Sequence, residues 1–188
     1  MAKAQPGTSI VTLKIALRDI RPPVWRRLMV PGKMNLGQFS EVILAAMGWN
    51  GYHLHAFDIG GEQYGDQSNT ENVANENRLT LNHIVKSGLV RFVYTYDFGD
   101  DWDHVVTIEK PRPAVEGLFY PACIAGKRNC PPEDCGGPGG YEEMLGILAD
   151  PGHPERDERI EWLGEEFDSE AFDIARVNTI LAARFKPG

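Results

Sequence analysis

Val11, Leu13, Ile15 and Leu17 alternate with Thr12, Lys14, Ala16 and Arg18, and this run constrains the fold more than any other. A period of two reads as a strand with one buried face, because successive side chains point to opposite sides of a sheet. Arg21-Pro22-Pro23 interrupts it, since proline fixes φ and has no N–H to give a ladder. A second strand is expected from Val24 to Val30, closed by Pro31-Gly32. The chain therefore opens with a sheet that needs an apolar layer on one face. The next segment supplies it. Asn35 is placed as an N-cap, with Gln38 three positions on as in a capping box. Leu36, Phe39, Val42, Ile43, Ala46 and Met47 recur at helical spacing until Gly48. Leu54 to Ile59 is the next strand, turned by Gly60-Gly61. The order ββαβ is that of a β-grasp-like half.

Residues 65–78 are polar and rich in Asn and read as an exposed loop. Thr80 is placed to cap a short helix to Ser87, stopped by Gly88. Leu89 to Asp97 reads as a strand with Val90, Phe92, Tyr94 and Tyr96 on one face, and His104 to Glu109 as its hairpin partner across a tip at 98–101. Pro111 to Gly140 is dense in Pro, Gly and Cys, which predicts an irregular loop. Tyr141, Met144, Leu145 and Leu148 mark a helix, and Arg156 to Leu163 another. A last helix carrying Ala171, Ile174, Asn178, Leu181 and Phe185 is expected behind an Asp168 cap. The class is α+β: a mixed sheet followed by C-terminal helices. With 188 residues, one domain over 10–188 is expected, with 1–9 as a flexible tail.

The net charge of −8 argues against broad, sequence-independent binding to nucleic acid or anionic membrane. Residues 1–50 nevertheless carry seven Lys/Arg against two acids. Arg18, Arg21, Arg26, Arg27 and Lys33 are expected on the solvent side of the first hairpin. No run approaches the ~20 apolar residues of a membrane span, and the first ten residues lack the pattern of a signal peptide. A cytoplasmic protein without a membrane partner is expected.

Three constellations could carry chemistry. His53 and His55 flank Leu54, so on a strand both imidazoles would leave one face and could share a metal; alternatively one caps a turn and the other packs under an aromatic ring. Residues 96–104, YDFGDDWDH, gather four carboxylates and a histidine. Asp100, Asp101, Asp103 and His104 would suit Zn or Mn, yet Asp at a hairpin tip also serves plain turn chemistry. Cys123, Cys130 and Cys135 lack the tight pairs of structural zinc sites. They would bind zinc with His104 or His153 as fourth ligand, or else stand as reduced thiols packed against the core. Phosphate-loop, GxGxxG, GxSxG and HExxH motifs are absent.

PPVWRR, GW-x5-H-x-F, YDFGDDW-x-H and CPPEDCGG in this order resemble the plasmid pRiA4b open-reading-frame-three family, and the likeness runs from about Ile10 to the last helix. The resemblance implies an accessory protein of plasmids or insertion elements, some of whose relatives are labelled resolvase-like (TnpR-like). None of Ser9, Ser40, Ser68, Ser87 and Ser169 lies in an arginine-framed motif, and the last tyrosine, Tyr141, precedes an acidic helix, so recombinase chemistry is not expected. The expected role is a non-enzymatic binding domain for nucleic acid or protein, with an aromatic and basic surface. Trp49, Tyr64 and Trp102, with Trp25, Tyr52 and Tyr96, would form its aromatic part, and Arg26 and Arg27 would contact anions. The alternative is a metal-dependent hydrolase or nuclease using His53, His55 and the Asp100–His104 cluster, with Zn or another divalent ion.

Overall fold

A computed structural model describes residues 9–70, 72–109, 115, 117–164 and 166–186. The expected tail is therefore outside the described residues except for Ser9. Two alternating runs, Ile10–Leu17 (β1) and Trp25–Pro31 (β2), pair antiparallel from Ile10↔Pro31 to Ala16↔Trp25. Helix α1, Leu36–Met47, begins as its sequence dictates. The Asn35 side chain accepts from the Gln38 N–H at 2.8 Å, Gln38 Oε1 accepts from the Asn35 N–H, and Gly48 ends the helix in the left-handed region at φ 100. The strands His55–Ile59 (β3) and Glu62–Gly65 (β4) form a hairpin. Leu81–Ser87 (α2) follows the Thr80 cap. Arg91–Tyr96 (β6) and Trp102–Ile108 (β7) form the second hairpin, with Phe92, Tyr94 and Tyr96 buried; Val90 precedes the strand and is exposed.

Three expectations need correction. The polar stretch 65–78 holds a two-residue strand, Ala74–Asn75 (β5), and a 3-10 turn, Glu76–Arg78. Val73 and Glu76 are buried there, because β5 continues the sheet in parallel with β4. The Pro/Gly/Cys stretch contains a full strand, Ala122–Lys127 (β8), antiparallel to β2. Its partner lies about a hundred residues back, so no local pattern announced it. The last helix is Ile174–Phe185 (α5), capped by Asp173, whose side chain accepts from Ala175 and Arg176; Asp168 makes only a local turn with Glu170. Gly137–Ala149 (α3) and Arg156–Leu163 (α4) match the two other expected helices.

The eight strands run β5-β4-β3-β6-β7-β1-β2-β8, all neighbours antiparallel except β4 and β5. The ββαβ order is present, with β7 rather than β3 lying beside β1. Nine of the twelve residues of α1 are buried, far more than one face, because α5 packs on the helix from outside. The core joins Leu13 and Ile15 of β1, Phe39 and Ile43 of α1, Phe57, Tyr94 and Trp102 in one cluster. Among the described residues no helix is long and apolar enough to cross a membrane.

Candidate functional site

Three loops meet at one end of the sheet. The first leaves α1 through Trp49 and reaches His53 just before β3; the second is the β6–β7 tip from Asp97; the third runs from Cys130 to Gly136 into α3. Trp49 Nε1–H donates to Pro131 O at 2.9 Å, and its ring stacks on Tyr96 at 5.1 Å. Tyr96 Oη–H donates to Glu133 Oε1 at 2.5 Å, while Asn50 donates to Glu133 Oε2. Asp100 Oδ2 accepts the Gly136 N–H at 3.1 Å. Gly137 (φ +67) then passes so close to Asp100 that a Cβ there would lie 2.4 Å from its carbonyl oxygen. Glycine is needed on both counts.

This scaffold brings His53, Asp97 and Asp134 together. His53 Nδ1 is 3.6 Å from Asp97 Oδ2, and Nε2 is 3.2 Å from Asp134 Oδ1. One ligand atom from each lies within 4.8 Å of the others. Asp97 is buried and held at φ 59, its Oδ1 accepting the Gly99 N–H at 2.9 Å, so Oδ2 is left to face His53. A carboxylate taken from water needs a cation or donors, and here an imidazole and a second carboxylate supply a donor set with the chemistry of Zn, Mn or a similar ion.

The residues picked out from sequence mostly lie elsewhere. His55 does not share a partner with His53: its Nε2 is 2.8 Å from buried Glu76 Oε2. Asp100 closes the start of α3, and the Asp101 N–H donates to Asp97 O. Asp103 accepts from Arg18 and from Thr95, each at 2.5 Å. His104 is fully buried under Trp49, Nδ1–H facing Tyr94 O at 3.2 Å and Nε2 with no partner among the described residues. The tip carboxylates thus serve turn and scaffold chemistry, as their density at a tip allows. Nor do the cysteines gather into a zinc site. The described residues hold a single group of three such donors within 4.8 Å, and no cysteine belongs to it. Cys123, Cys130 and Cys135 are buried and unpaired. Burial pushes all three thiols up, Cys135 to about 12, so that they stand protonated in the core. His153 Nδ1 accepts a local N–H from Glu155.

The expected aromatic and basic surface is also corrected. Trp49, Trp102 and Tyr96 are core residues, and Tyr64, half-buried on β4, donates to Glu62. Arg26 is 2% exposed, whereas Arg27 is clasped by both oxygens of Glu109 and lies over Trp25. With Arg18 on Asp103, two of the seven basic side chains of the first fifty residues are paired with acids of later segments. Reasoning from sequence missed Asp97 and Asp134. Both stand inside motifs already singled out, YDFGDDW and CPPEDCGG, and what was missing was their proximity.

Residues 9–176 match the model of the plasmid pRiA4b ORF-3-like proteins. The chain belongs to that family. An uncharacterised protein, y4hQ, of Sinorhizobium fredii (strain NBRC 101917 / NGR234) is 39% identical over 174 residues, covering 90% of this chain and 89% of the relative. The crystal structure of a protein of unknown function, MM3350, from Methanosarcina mazei Go1 superposes with a TM-score of 0.83 at 38% identity, over 89% of this chain and 97% of the other. Three of the four motifs read from the sequence of this plasmid pRiA4b ORF-3-like chain lie in the loops that bring His53, Asp97 and Asp134 together.

Proposed function

We propose that the chain is a binding domain organised around a divalent cation held by His53, Asp97 and Asp134. The observation that carries this reading is the convergence of three donor side chains from three separate loops within 4.8 Å. Around them stand Tyr52, Leu54 and Phe98, apolar side chains on the immediate neighbours of His53 and Asp97 and all exposed. Exposed apolar residues beside a charged centre suit contact with a macromolecule better than with water. A protein partner is favoured over nucleic acid, because the net charge is negative and the loops at the centre carry acids. An accessory role for plasmids or insertion elements, the role implied by the resemblance of the motifs, accords with a domain that binds rather than transforms.

Protein purified without added metal or a tag should bind one equivalent of Zn2+ or Mn2+ by titration calorimetry, and His53→Ala and Asp97→Asn should each weaken it at least ~10-fold, since loss of even a residue that only orients a ligand costs that much. Identical isotherms for the wild type and His53→Ala would end the reading. A second reading rests on the donor count: three protein ligands leave a position for water, the pattern of catalytic rather than structural zinc. Mn2+-dependent cleavage of a phosphodiester such as bis-p-nitrophenyl phosphate, lost in Asp97→Asn, would favour it; equal rates in the two proteins would reject it.

A further inference from the structure

Arg26 is the feature of this chain that neither the metal reading nor the fold explains. It shares strand parity with Val24, Leu28 and Val30, and so points into the core face of β2. Its Nε–H donates to Ala46 O at 3.0 Å; Nη1 donates to Trp25 O at 2.9 Å and Lys127 O at 3.1 Å. Nη2 donates to no described residue. Arg18, Arg27, Arg128 and Arg184 each meet a carboxylate, but among the described residues Arg26 meets none. Its titratable neighbours are Cys123 and Cys130, thiols that burial keeps protonated. A buried cation without a counter-charge is costly, and a carbonyl shell offsets only part of that cost.

The charge borders a groove of about 470 Å³ between the end of α1, the Cys130–Glu133 loop and the segment entering α5. The volume lies within the usual range for small-molecule sites. Phe172 closes over the guanidinium, ring centroid 4.4 Å from Cζ, and is seated against Gly126, where a Cβ would lie 2.5 Å from the ring. Phe167, Val177 and Ile180 give the groove an apolar wall, and Arg176 adds a second cation with no ion pair among the described residues. The acids on the lining are already engaged: Glu133 by Asn50 and Tyr96, Asp173 by the first N–H groups of α5.

From this juxtaposition we propose that the groove binds a small organic carboxylate, its anionic end toward Arg26 and Arg176 and its apolar body against Phe167 and Val177. The inference is independent of the cation reading; the two sites share the loop that carries Glu133 and Asp134 and the Trp49–Asn50 start of the first loop, but no proposed ligand residue. A carboxylate here accepts charge-assisted hydrogen bonds in a largely dehydrated setting. A neutral amide of the same shape keeps the apolar contacts and loses the charge.

The test is calorimetry with phenylacetate, hexanoate and phenylacetamide, alongside the 15N resonances of the arginine side chains. At least one of the two carboxylates should bind, phenylacetamide at least ~10-fold weaker, a factor worth about 1.4 kcal/mol. Val177→Trp, which fills the groove without touching the charge, should abolish binding, and Arg176→Gln should weaken it. Equal affinity for acid and amide, no binding of either acid, or undiminished binding by folded Val177→Trp would overturn the proposal. If Val177→Trp does not fold, the wild-type resonances decide. The Arg26 Nε–H signal must move with the bound carboxylate and not with phenylacetamide, and an unmoved signal overturns the proposal as well.

Discussion

His104 shows what burial does to a single titratable residue. It has no access to solvent, Trp49 meets it edge-on at 5.3 Å, and burial lowers its pKa to about 4. The neutral ring is therefore the native form, and acid favours the unfolded chain, where histidine takes its proton near ~6.5. His104 makes no pH-dependent contribution above that value. As pH falls below it the fold loses stability, and the loss levels off once the folded imidazole is itself protonated near 4. The interval corresponds to about 3 kcal/mol. Urea titrations at pH 7 and pH 4.5 should show most of that loss in the wild type and markedly less in His104→Gln, even if the variant starts from lower stability. The same acid dependence in both proteins would clear His104 of the effect. Asp97 makes a complementary point: a buried carboxylate is tolerated because a backbone N–H takes one oxygen and His53 faces the other.

At the scale of elements, ends and edges matter more than propensity. Helix α1 is closed at both ends by its own sequence, so Asn35→Ala should cost about 1 kcal/mol by equilibrium denaturation, with the helix otherwise intact. Strand β8 is an edge of the sheet, where unpaired backbone groups invite association. Asn178 of α5 covers part of it: Oδ1 accepts the Cys123 N–H at 2.8 Å and Nδ2 donates to Cys123 O at 2.9 Å, so one amide side chain mimics a further strand. Asn178→Leu leaves both backbone groups without partners and should cost about 1–3 kcal/mol. Sedimentation should also show a greater tendency to associate than Asn178→Gln. A denaturation midpoint unchanged in Asn178→Leu would show that water replaces the amide without loss.

For the whole molecule, the loop from Cys130 to Gly136 is the piece that joins everything else. It receives Trp49 and Asn50 from the first loop and Tyr96 from the sheet, touches the β6–β7 tip through Asp100, and lines the Arg26 groove on its other side. Cys130 and Cys135 sit in the core cluster with Cys123 of β8. Thiol titration of native protein should therefore be slow, with all three sulfurs exposed together at the rate of opening rather than one by one. Three thiols reacting within seconds in the absence of denaturant would contradict a packed loop. Because the same loop supplies Asp134, a bound cation should slow the reaction further, and His53→Ala should remove that protection.

Much of the local architecture was legible in the residues themselves. The bounds of α1, the alternation of β1, the glycine stop of α2, and the turn chemistry of the β6–β7 tip all follow from caps, periods and backbone preferences that act within a few positions. Pairing across distance was not legible. That β7 lies beside β1, that β8 forms inside a Pro/Gly/Cys stretch, and that Asp97 meets Asp134 depend on contacts between segments dozens of residues apart. Arg26 lies between these cases. Its charge suggests the solvent side of the first hairpin, whereas its parity with Leu28 and Val30 matches the apolar face where the structure puts it, and only the tertiary structure shows three carbonyl oxygens around it and a groove beside it. Periodicity decides which way a side chain points, whereas the packing of distant segments decides what it meets there.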